Sequence, residues 1–142
     1  RIRSNKAMLN RSYLRGMIKS LKAGETIWYA PDHDYGRKNS IFVPFFAVKE
    51  ACTTAGTRML LKSAPQTKVV PFSPIRNEDF SGYTVKISPA VDFSDCEDDV
   101  QTATKMNKVV EGEILNAIEQ YMWLHRRFKT RLNESDLNLY EA

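Results

Sequence analysis

Leu14, Met17, Ile18 and Leu21 fall at i, i+3, i+4 and i+7, the spacing of one helix face. Asn10 stands ahead of this stripe as a cap, because its side chain can accept from the N–H groups a helix start leaves free. Lys19 and Lys22 suit the negative C-terminal end, and Gly24 sits where a left-handed cap is wanted. The spacing predicts a helix over residues 12–23. Residues 26–30, Thr-Ile-Trp-Tyr-Ala, are β-branched and aromatic and stop at Pro31, which predicts a buried strand. A polar loop, residues 32–40, follows at that strand's C-terminal end, where α/β sheets usually bind ligands.

Farther on, residues 41–46 are apolar and interrupted by Pro44. Val48, Ala51, Cys52, Ala55, Met59 and Leu60 make an apolar set that predicts a helix over 48–63, with Gly56 inside it as a point of close packing. Residues 68–73 read as a strand with a proline near its end. Tyr83, Val85 and Ile87 alternate with Thr84 and Lys86 as in a half-buried strand. An acidic stretch, 92–99, caps a helix predicted over 99–119. This order of elements argues for an α/β fold with a layered, parallel sheet that is incomplete, since its first helix follows no strand. The domain is expected to span residues 1–131, with 132–142 a polar, frayed tail.

At 142 residues and 42% apolar content the chain can bury one core. No apolar run is long enough to span a bilayer. Cys52 and Cys96 lack the spacing of a zinc site or a disulfide framework and read as reduced thiols. Charge is unevenly placed. Residues 1–40 hold nine Lys/Arg against three acids, residues 120–131 hold four bases and no acid, and residues 92–99 hold five acids and no base. Two basic regions around an acidic hinge point to an anionic partner: nucleic acid, phospholipid, phosphorylated glycolipid or an acidic carrier protein.

Two stretches carry candidate chemistry. In Asp32-His33-Asp34-Tyr35-Gly36-Arg37-Lys38, acids flank an imidazole before a glycine and two bases. Asp32 can orient a basic partner and His33 can titrate near neutral pH, whereas the plain alternative is a solvated turn. A metal site is disfavoured, because consecutive side chains on an extended backbone point apart. The run from Tyr121 to Lys129 interleaves rings with His125, Arg126 and Arg127. It is open to three readings: a nucleic-acid surface, a membrane-interface segment, or rings in the core with solvated charges. There is no GxSxG elbow, Walker pattern or GxGxxG motif.

Several strings are more specific: Arg3-Ser4-Asn5-Lys6-Ala7-Met8, Trp28-Tyr29-Ala30-Pro31-Asp32-His33-Asp34-Tyr35-Gly36, Phe42-Val43-Pro44-Phe45-Phe46-Ala47, Met106-Asn107-Lys108-Val109-Val110-Glu111, and the run from Glu119 to Arg131. With them the chain resembles the lipid A late acyltransferases, of the lauroyl/palmitoleoyl rather than the myristoyl branch, and specifically their C-terminal portion. The resemblance implies transfer of an acyl group from acyl carrier protein to a hydroxyl of a phosphorylated, Kdo-bearing lipid A precursor. It places that reaction at the cytoplasmic face of the bacterial inner membrane, with no cofactor, metal or nucleic acid. The implied fold is a partial αβα layered sheet of the glycerolipid-acyltransferase type, without its N-terminal half. The family's general base is a histidine followed five positions later by an acid. Lys38 and Thr130 stand five positions after His33 and His125, so that pair is expected upstream of residue 1 and the fragment alone is expected to be inactive. What carries over is Arg1 and Asp32 as supporting site residues, with His33, Arg37, Lys38, Arg126 and Arg127 as candidate substrate contacts. Phe42, Phe45 and Phe46 are open to two readings, an acyl groove or the core.

Overall fold

A computed structural model describes residues 6–10 and 13–140. Helix α1 runs Leu14–Lys22 and presents Met17 and Leu21 inward, as the stripe predicts. Its start differs from the reading: the cap position is Tyr13, whose N–H donates to the Asn10 carbonyl at 2.8 Å. Its end follows the reading, with Gly24 at φ +78° donating to Leu21 O at 3.0 Å.

The predicted strand at 26–30 is not paired into a sheet. Its burial still alternates, with Ile27 and Tyr29 packed on the α1 core and Trp28 outward, but it has no ladder partner among the described residues.

The largest correction concerns residues 48–63. Strand β1, Ser40–Phe45, turns at Phe46-Ala47 and pairs antiparallel with β2, Val48–Thr54, and only then does helix α2, Gly56–Ser63, begin. Val48, Thr53 and Thr54 are β-branched and favour the strand. The helical spacing of Val48, Ala51, Cys52 and Ala55 arises from strand residues joined to a helix. Gly56 therefore opens α2 instead of interrupting it, and a Cβ there would meet Tyr29 Oη at 3.1 Å and Thr54 Oγ1 at 3.2 Å.

A second hairpin pairs β3, Phe72–Arg76, with β4, Tyr83–Ile87, and Val69 bridges Val91 beside it. Helix α3, Asp99–Ile114, is capped by Asp98, which accepts from Gln101 N at 2.7 Å; a 3-10 turn, Ile118–Gln120, follows. Among the described residues the fold is thus mixed α and β, with three α-helices and two antiparallel two-stranded sheets, and no strands pair in parallel. Residues 132–140 form no helix or strand, yet they return to the body, where the Phe128 N–H donates to Tyr140 Oη at 3.0 Å.

Helix α3 organises both hairpins through buried polar side chains. Asn107, 2% exposed, donates to Pro44 O (2.8 Å) and Thr53 Oγ1 (2.9 Å). Glu111 accepts from Phe46 N at 2.7 Å, holding the turn where Phe46 takes φ +49°, a costly conformation for a bulky residue. Glu113 accepts from the Ser73 and Ser88 hydroxyls, fixing the second hairpin. Arg58 joins α2 to the start of α3 through Cys96 O, Glu97 O and Asp99, so part of the acidic hinge is neutralised within the fold. Asn107→Ala strands the Pro44 carbonyl, and is expected to lower unfolding free energy by roughly 1–3 kcal/mol, read from urea unfolding midpoints.

Candidate functional site

Residues 31–39 form an irregular loop that lies against the 120s run, across separations of 89 and 96 residues. Asp34, 5% exposed, makes the joint. It accepts from its own loop at Gly36 N (2.9 Å) and from Thr130 N and Thr130 Oγ1 (2.8 Å each). Gly36, at φ +85°, gives the loop the left-handed turn that this grip requires. Asp32 accepts from Tyr121 Oη at 3.1 Å. Both acids of the loop thus hold the same distant segment, one at each end.

His33 sits between them. Its ring stacks on Tyr35 at 5.9 Å, and its centroid lies 4.4 Å from that of His125. His33 Nε2 is 3.9 Å from Asp32 Oδ1, which is electrostatic range rather than a hydrogen bond. Burial and the neighbouring His33 lower the His125 pKa, and Asp32 partly opposes them. Burial raises the Tyr121 phenol, and the adjacent Asp32 charge adds to that, so it stays a protonated donor.

Beneath this layer lies Arg127, 2% exposed. It donates to Cys52 O (2.6 Å) and Thr53 Oγ1 (3.1 Å), and its guanidinium carbon is 4.7 Å from the Phe45 ring centroid. The reading of Arg127 as a substrate contact is therefore corrected, because its charge faces the interior. Phe45 is wholly buried and Phe46 packs around it, which favours the core reading for these rings.

The other candidates are placed as follows. Arg37 is exposed, donates to Leu132 O at 2.6 Å and lies over Phe42. Lys38 is exposed, and exposed Arg126 lies 5.9 Å from the Tyr140 ring. Arg1 lies outside the described residues. The structure unites Asp32 and His33, and adds Tyr121, His125 and Asp34, which sequence reasoning had not joined to one another. No three His, Cys, Asp or Glu side chains among the described residues are arranged to hold a metal ion.

A cleft of about 750 Å³ opens beside Asp32 and Tyr121. Its walls are mainly apolar: Ile27, Tyr29, Leu60, Val69, Met106 and Val110 contribute. Among the described residues, no helix is long and apolar enough to cross a membrane.

The family model described as bacterial lipid A biosynthesis acyltransferase matches residues 1–130. The chain belongs to that family. It is 62% identical over 141 residues to a lipid A biosynthesis acyltransferase of Haemophilus influenzae, covering 99% of this chain and 45% of the relative. It is 56% identical over 131 residues to the lipid A biosynthesis lauroyltransferase of Escherichia coli K12, covering 92% of this chain and 42% of the relative. With the palmitoleoyltransferase of the same organism the identity is 48% over 138 residues, covering 96% and 44%. The chain thus spans less than half the length of these curated relatives, as its likeness to the C-terminal portion of the lipid A acyltransferases implied.

One titration follows from the geometry. An NMR titration of His125 is expected to give a midpoint below the 6.5 of a free imidazole, and Asp32→Asn should lower it further by removing the charge that favours the imidazolium. By linkage, the associated stability is present above pH 6.5 and lost as pH falls through the lowered native value.

Proposed function

We propose that this chain is the C-terminal part of an acyl carrier protein-dependent lipid A acyltransferase, and that it supplies the supporting half of the active site. The observation that carries this reading is that Asp32 and its hydrogen-bond partner Tyr121 both line the apolar cleft, with His33 beside Asp32 and His125 packed on His33. An acyl transfer to a lipid needs an apolar seat beside polar groups that orient the acceptor hydroxyl, and that combination is present. In this reading the general base and its acid come from the remainder of the protein. Asp32 shapes the acceptor side, and Arg1 is proposed as a second supporting residue on the family resemblance. Arg37, Lys38 and Arg126 attract the phosphorylated acceptor and the acidic carrier protein. His33 contacts substrate beside Asp32. The remainder also completes a layered αβα sheet of the glycerolipid-acyltransferase type around these hairpins, with residues 1–131 as the domain part and 132–142 as its tail.

The proposed location is the cytoplasmic face of the inner membrane. Met122 and Leu124, 72% and 96% exposed, project from a turn next to exposed Arg126 and Lys129. Apolar tips flanked by cations suit an anionic bilayer interface. A nucleic-acid surface fits less well, since Tyr121 and Phe128 pack against the buried cluster of Phe45, Ala51 and Ile114 instead of offering their faces.

Three experiments test the reading. In the full-length protein, Asp32→Ala is expected to cut turnover of acyl carrier protein thioester and lipid A precursor by about 100-fold or more without unfolding. The isolated chain should show no turnover. For the membrane face, flotation of this chain with anionic vesicles should weaken by roughly tenfold in Leu124→Ser, because a leucine side chain is worth about 1.5–3 kcal/mol on burial.

A further inference from the structure

We infer that Tyr121 is a positioning residue of this site, aiming the Asp32 carboxylate by donating its phenolic hydrogen to Oδ2; the inference rests on the reading of Asp32 given above. Asp32 follows Pro31 on an irregular turn, so no helix or strand fixes its side chain. The hydrogen bond from Tyr121 at 3.1 Å is the direct constraint recorded on it among the described residues. With Oδ2 so occupied, Oδ1 is the oxygen turned toward His33 Nε2 and free to take a donor from substrate or a catalytic partner.

Tyr121 is itself held firmly enough to act as a ruler. Its ring belongs to the cluster built on Phe45 and Ile114, and it meets Trp123 edge-on at 4.9 Å. Trp123 in turn donates its indole N–H to Ile118 O at 2.8 Å. On the other side, Gln120 grips the Arg76 backbone twice, accepting from its N–H at 2.8 Å and donating to its carbonyl at 3.1 Å. The charged groups bearing on the phenol are Asp32 and Arg127, with Tyr140 the other titratable neighbour. A hydrogen bond to an ionised acceptor is about twice as strong as a neutral one, so losing it frees the carboxylate to turn away.

The test uses the full-length protein with acyl carrier protein thioester and lipid A precursor. Tyr121→Phe keeps the ring and removes the O–H. It is expected to lower kcat about tenfold with little change in KM. Combined with Asp32→Ala it should add almost nothing to the loss caused by Asp32→Ala alone. If Asp32→Ala is inactive and Tyr121→Phe runs at the wild-type rate, the positioning role is overturned while the reading of Asp32 stands. If Asp32→Ala is as fast as wild type, both fall. Should Tyr121→Phe fail to fold, 4-fluorophenylalanine at 121 fills the space of the tyrosine without its donor; the same tenfold loss of kcat is expected, and a wild-type rate overturns the inference.

Discussion

A guanidinium buried without an ion pair among the described residues is the constraint around which this part of the molecule is arranged. Taking a cation out of water costs several kcal/mol even after relaxation, so Arg127 is tolerable only where its surroundings replace that water. Cys52 O and Thr53 Oγ1 supply acceptors and the Phe45 ring supplies a polarisable face. The charges of Asp34 and Asp32 act on it from farther off. Every one of those groups is therefore fixed relative to the 120s run. Strand β2 contributes the acceptors, β1 the ring and the 31–39 loop the counter-charge, so the strand hairpin, the loop and the run form a single electrostatic unit.

The site is a consequence of that unit. Asp34 closes the loop on Thr130, and Asp32 meets Tyr121, across separations of 96 and 89 residues. Ordering an irregular loop costs about 1–2 kcal/mol per residue of backbone entropy, which local hydrogen bonds alone do not offset. Helix α3 meets the same demand on its own side: Asn107 and Glu111 hold the first hairpin and Glu113 the second. Polar side chains, more than a continuous apolar core, determine how the pieces sit. A site built this way is specific in geometry and sensitive to single substitutions in buried amides and carboxylates.

What the sequence showed of this follows from the range of each interaction. Helices α1 and α3 were legible because periodicity and capping are local, as Gly24 and Asp98 illustrate. Residues 48–54 were not, because a strand of alanine, cysteine and threonine running into a short helix imitates a helical stripe; the β-branched Val48, Thr53 and Thr54 were the contrary signal. Asp32 and His33 were legible as members of one polar loop, since their neighbours in sequence are also their neighbours in the loop. Their partners Tyr121 and His125 were visible as residue types only, and no local pattern reports a contact across 89 positions. Arg127 was misread for the same reason. Within a run of Arg126, Arg127 and Lys129 nothing local tells the inward cation from the outward ones.

Apolar exposure is concentrated in named places: Tyr83, Val85 and Ile87 on β4 are 71%, 56% and 70% exposed, Phe72 faces outward beside them, and the cleft lies along α3. Water against such a face is costly at about 25 cal/mol per Å², so covering it contributes strongly to stability. The relatives are more than twice as long as this chain, so they hold enough further chain to cover such a face. Asp32 and Tyr121 line the cleft along α3, so cover over that cleft also shields the hydrogen bond between them from water.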